Sequence, residues 1–115
     1  MTSSERRKFP RTPEAFTVKY RVTGDLAATW QSITTVNISA GGLRFRVAEP
    51  LERGTPVQFE IKFPGLSQAM ILQGLVIWSE LQASGVMEVG AEFHDVKLHE
   101  RAMIDRLVWF LRARF

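Results

Sequence analysis

Two short segments of the chain carry side chains suited to gripping an anion. In Arg6-Arg7-Lys8-Phe9-Pro10-Arg11 three guanidinium groups share one stretch, with Arg7 and Arg11 four residues apart. Pro10 and Pro13 favour extended backbone there over helix. Guanidinium forks match phosphate oxygens and the O6/N7 edge of guanine, and their flat faces stack on purines. The second segment is Asn37-Ile38-Ser39, at the end of a β-branched run, where alternation turns Asn37 and Ser39 to the same side. An amide and a hydroxyl presented together can read a base edge or a phosphate. Gly41 and Gly42 follow, and glycine there lets the backbone turn sharply and permits close ligand approach.

Other chemistry finds little support. The chain has no cysteine, which excludes thiol nucleophiles, thiolate metal sites and a disulfide framework, and its two histidines are His94 and His99. His94-Asp95 resembles a base with its orienting carboxylate, but adjacent strand-end residues point apart and no nucleophile is signalled nearby. The scattered acids and histidines lack metal-ligand spacing, and no glycine-rich loop of the phosphate-binding type precedes a helix. We therefore expect no catalytic residue, no metal and no cofactor.

Charge patterning sharpens the anion reading. The 115-residue chain has 15 basic and 12 acidic side chains, a formal net charge of +3. Arg6, Arg7, Lys8 and Arg11 stand against Glu5 alone in residues 1–11, so the whole excess sits there and the remainder is neutral. A nucleic-acid coat would spread its charge over a face. A solvated basic tail is the plainer alternative. No apolar run approaches the ~20 residues of a membrane-spanning helix, and Met1 to Glu5 begins nothing like a secretory signal peptide. The expectation is a cytoplasmic protein with no membrane insertion.

The elements that must position these groups are legible as periodicities. Phe16, Val18, Tyr20 and Val22 alternate with polar residues, as a half-buried strand requires. Ile33 to Ile38 reads as a second strand, Leu43 to Val47 as a third and Val57 to Phe63 as a fourth. Met70 to Trp78 is apolar on both sides: Met70, Leu72, Val76 and Trp78 face one way, and Ile71, Leu75 and Ile77 the other. A strand of that kind is covered on both faces, which predicts the C-terminal helix across the second. Val89, Ala91 and Phe93 mark a sixth strand. From Leu98 the period becomes helical, with Met103, Ile104, Leu107, Val108, Leu111 and Phe115 at three- and four-residue spacing.

The predicted fold is all-β with a C-terminal helix: a six-stranded antiparallel barrel closed by one helix at about 98–114. Residues 1–13 form a flexible basic arm, and residues 14–115 one barrel domain. Trp30 and Trp78 are expected in the core or at its rim. Trp109, off the helix's apolar stripe, is either an interface anchor or packed on the barrel rim. Arg44 and Arg46 either extend the site or face solvent.

Taken together, these segments resemble the PilZ domain family. Arg7 and Arg11 match its RxxxR motif in an N-terminal arm, and Asn37, Ser39 and Gly42 match its D/N-x-S-x-x-G motif after the second strand. The likeness extends to Val76-Ile77-Trp78, to Val89-Gly90-Ala91-Glu92-Phe93 and to the terminal helix, nearly the whole chain. The resemblance implies a bacterial receptor for the second messenger cyclic di-GMP, acting on an unidentified downstream protein in motility or biofilm control. It implies that Arg7 and Arg11 engage phosphate and guanine, that Asn37 and Ser39 hold the other guanine region, and that Gly42 shapes the turn. Arg6 is an added cation that can stack on a second ligand molecule. The rival readings are a PilZ-like adaptor without ligand binding and a small barrel that binds single-stranded nucleic acid, the latter disfavoured by the neutral body.

Overall fold

A computed structural model describes residues 17–25, 27–62 and 68–114 of the chain. The arm carrying Arg6, Arg7 and Arg11 lies outside the described residues. The strands are β1 (Thr17–Val22), β2 (Gln31–Ser32), β3 (Thr34–Ser39), β4 (Gly42–Val47), β5 (Pro56–Lys62), β6 (Met70–Leu81) and β7 (Met87–His94), followed by helix α1 (Leu98–Arg114). They form one sheet in the order β2-β1-β5-β6-β7-β4-β3. Every pairing in it is antiparallel.

The sheet curls because its inward residues meet. Tyr20 of β1 and Phe45 of β4 lie far apart in strand order, yet their rings are 5.9 Å apart. Phe45 packs edge-on against Phe59 at 5.4 Å, and Phe59 against Phe93 at 5.8 Å. Edge-to-face geometry suits the ring quadrupoles and locks the curvature around one core. The six expected strands are all present. The seventh, β2, is a two-residue strand on β1, too short to leave a periodic signal.

Among the described residues the ladder does not close on itself, and β2 and β3 are its edges. Along the resulting seam runs a cleft of about 700 Å³ lined by Val18, Ile33, Ile38, Val108 and Leu111, with Arg112 among its neighbours. Helix α1 flanks this seam and sends Ile104 and Leu107 into the core. Its first turn is fixed by the Lys97 amide, which donates to Glu100 Oε1 at 2.9 Å, half of a capping box. The helix thus does not cover the second face of β6 as predicted. Ile71 and Ile77 of that face are 42% and 38% exposed.

Tyr20 is almost wholly buried, and burial, with a smaller contribution from Glu49, pushes its phenol above the ordinary value of 10.0. The folded state therefore holds this proton more tightly than the unfolded chain does. That stabilisation is complete below the unfolded pKa and is lost as pH rises through the folded one. Tyr20→Phe should lose less thermal stability than wild type on going from about pH 9 to about pH 11. Equal alkaline losses in both proteins would contradict this.

Candidate functional site

The motif residues sit on the outer face of the sheet, where two β-bulges have reset the alternation. Thr35 pairs with the inward Phe45, while Asn37 pairs with the outward Arg44, so Val36 is the extra residue between them. The phase shift places Asn37 and Ser39 outside, with buried Ile38 between them, as their spacing predicted. On β6, Val76 pairs with Ala91 and Trp78 with Gly90, so Ile77 is the second extra residue. A bulge re-aims the side chains that follow it. Trp78 consequently leaves the inward set to which Val76 belongs, and the expectation that both face one way is corrected.

The register then lines up Asn37, Arg44, Gly90 and Trp78 as one row across β3, β4, β7 and β6. Beside it runs a second row, Ser39, Gly42, Glu92 and Leu75. A groove of about 320 Å³ follows these rows, lined by Asn37, Ser39, Gly42, Arg44, Trp78 and Glu92 among others. It falls within the usual range for small-molecule sites. The seam cleft is larger and shares Asn37, but apart from Arg112 its other polar lining among the described residues is the hydroxyls of Thr17, Ser32 and Thr35. The groove, with a hydroxyl, an amide, a guanidinium, a carboxylate and an indole, is the chemically equipped one.

Each contributor has a local cause. The Ser39 hydroxyl accepts a hydrogen bond from the Gly41 amide at 3.2 Å and so braces the β3–β4 turn. The Gly41 carbonyl accepts from the Phe93 amide at 2.9 Å, tying that turn to β7. Gly42 serves a close approach rather than a left-handed turn. A Cβ there would collide with the Ala91 carbonyl oxygen and lie 3.2 Å from the Glu92 Cα. Among the described residues, the glycines with positive φ are Gly24, Gly54 and Gly85. Gly90 lets the Trp78 indole pack closely against β7, because a Cβ there would sit 2.6 Å from Trp78 Cε2.

Arg44 stands over this indole, its guanidinium carbon 5.6 Å from the ring centroid. Its Nη2 donates to Glu88 Oε2 at 3.1 Å. Glu88 is 7% exposed and is the buried charged residue among those described. A buried carboxylate needs such a partner. Arg44→Ala would therefore strand Glu88 as well as remove a groove cation.

Arg46 is exposed and does not line the groove. Trp30 lies at the rim beneath Arg21, whose guanidinium carbon is 4.3 Å from its ring. His94 is turned towards Glu92, its Nε2 3.6 Å from Oε1, and is a surface residue as expected. Trp109 is 71% exposed on α1. Trp78 as a groove residue was missed in the sequence. The one signal that could have found it is Gly90, since glycine inside a strand often marks another group's close approach.

A curled antiparallel sheet with a braced N-x-S-x-x-G turn on its outer face and a helix along its seam defines a barrel-like domain of PilZ type. The family model described as PilZ domain matches residues 5–109, and the chain belongs to that family. A sequence comparison with curated proteins finds no match. Among solved structures, the chain is similar to the inhibitor of motility MotI/DgrA of Bacillus subtilis, with 14% identity and a TM-score of 0.62. That likeness covers 85% of this chain and 47% of the other, so the chain spans about half the length of that protein. It is also similar to the PilZ domain of YcgR from Escherichia coli, solved with c-di-GMP. There the identity is 14% and the TM-score 0.62, over 84% of this chain and 82% of the other. At this identity the likeness concerns the fold. No helix among the described residues is long and apolar enough to cross a membrane.

Proposed function

We propose that the protein binds cyclic di-GMP in the outer-face groove and acts as a cytoplasmic receptor that passes the signal to a partner protein. The observation that carries this reading is the convergence of Asn37, Ser39 and Gly42 with Arg44 and Trp78 in one groove. A cyclic dinucleotide has two phosphate charges and two purines. Arg44 offers a cation, Trp78 a stacking face, and Asn37 and Ser39 polar groups for a base edge or phosphate. The likeness to the YcgR PilZ domain, solved with c-di-GMP, supports the ligand, and the likeness to MotI, an inhibitor of motility, supports a role in motility. The ligand bridges Arg7 and Arg11 of the arm to the Asn37–Gly42 turn and so changes the surface offered to the partner. Protection of amides 5–13 from exchange on adding ligand is the expected sign; unchanged exchange there opposes the bridging step.

The direct test is calorimetric titration of the full chain with cyclic di-GMP, paired with tryptophan fluorescence. Ligand is expected to alter the emission, and Trp78→Phe should remove that change although Trp30 and Trp109 still emit. An emission change that survives Trp78→Phe would place the purine elsewhere. Binding of a mixed oligonucleotide with a steep salt slope, and none of cyclic di-GMP, would replace this reading with the nucleic-acid one.

A further inference from the structure

Glu92 stands on the same outer face as the motif residues. It is the register partner of Gly42 and one of the residues lining the groove. Its side chain is 50% exposed, and His94 Nε2 lies 3.6 Å from Oε1, longer than a sound hydrogen bond. Glu88, the other carboxylate on this face of β7, is bonded to Arg44. Glu92 therefore offers acceptor capacity to an occupant of the groove that Glu88 has already committed. Trp78 lies across Gly90, two residues before Glu92 on β7, so the two side chains spring from points about 7 Å apart along the strand. A purine stacked on the indole can bridge that distance and turn its edge towards the carboxylate.

The chemistry of that edge is selective. Guanine presents N1–H and N2–H₂ as adjacent donors, and an ionised carboxylate is an acceptor with two oxygens to meet them. Hypoxanthine keeps N1–H and lacks the amino group. Adenine presents an N1 lone pair, which a carboxylate repels. Asn37, at the first position of the motif, is an amide with a single accepting oxygen and a donating NH₂, so it cannot give each guanine donor an oxygen of its own as a carboxylate can. We propose that Glu92 is a specificity-determining residue, reading the guanine N1–H/N2–H₂ edge and setting the preference for guanine over hypoxanthine or adenine cyclic dinucleotides. This rests on the cyclic dinucleotide reading of the groove given above.

The experiment titrates wild type and Glu92→Gln, both checked by thermal melting, with cyclic di-GMP, its inosine analogue and cyclic di-AMP. The amide of Glu92→Gln opposes one guanine N–H with its own. We expect the variant to bind cyclic di-GMP about ten- to a hundredfold more weakly and to lose most of the preference over the other two ligands. Removing a negative charge beside two phosphates would by itself tighten all three alike. A loss concentrated on cyclic di-GMP therefore has no general electrostatic cause. If wild type binds cyclic di-GMP and Glu92→Gln keeps the full preference, or shifts all three ligands equally, the role of Glu92 is overturned alone. If wild type binds none of them, the receptor reading falls and this inference with it.

Discussion

Arg7→Ala and Arg11→Ala should each weaken cyclic di-GMP binding about ten- to a hundredfold or more at matched salt. On the receptor reading proposed above, each guanidinium makes charge-assisted hydrogen bonds to phosphate or guanine, and losing one such bond costs about 1.5–3 kcal/mol. At about 1.4 kcal/mol per decade this is one to two orders of magnitude in Kd. Coulomb attraction alone would give less in water and would be screened by salt. Arg→Lys at either position keeps the charge and loses the fork, so it should recover only part of the affinity. Arg6→Ala tests a different contribution. If Arg6 stacks on a second ligand molecule, its removal lowers the stoichiometry, and an unchanged one-to-one ratio in both proteins removes that role. Wild-type affinity in both Arg7→Ala and Arg11→Ala would sink the assignment of the arm.

Gly42→Ala should damage both stability and binding. The added methyl meets the Ala91 carbonyl oxygen and the Glu92 Cα, backbone atoms that cannot rotate away as a flexible side-chain tip would. β4 and β7 must then separate at the base of the groove. Overpacking of this kind costs about 1–3 kcal/mol, readable as a lower urea midpoint at unchanged slope. The same displacement moves Glu92 and the braced turn, so affinity should fall even where the variant remains folded. Gly41→Ala is the control, because its nearest neighbour, Ser39 Oγ, is 3.8 Å from the new Cβ, an ordinary contact. A Gly42→Ala protein as stable as wild type would show that the strands have slack the structure denies them.

The site was legible in parts. RxxxR and N-x-S-x-x-G are local patterns, and Asn37 and Ser39 occupy the shared outer face that their two-residue spacing predicted. Trp78 is the instructive miss. Its sequence parity with Val76 placed it inward, and only the pairing with β7 exposes the bulge at Ile77 that turns it out. For Arg44 the sequence does not decide between site and solvent, because nothing nearby in it marks Glu88, its partner across the β4–β7 pair.

The sequence by itself determined the β-rich class, the six longer strands, the terminal helix and the family, because alternation, helical period and motif order are encoded within each segment. Only the tertiary structure decided which faces meet. Inter-strand register, the two bulges, the close approach at Gly42 and the seam beside α1 depend on how separate segments settle against one core. That settlement joins Asn37, Arg44, Trp78 and Glu92, residues distant in sequence, into a single groove. A strand's own residues fix its period, but which side becomes the inside depends on its neighbours, since a one-residue slip in pairing exchanges the faces.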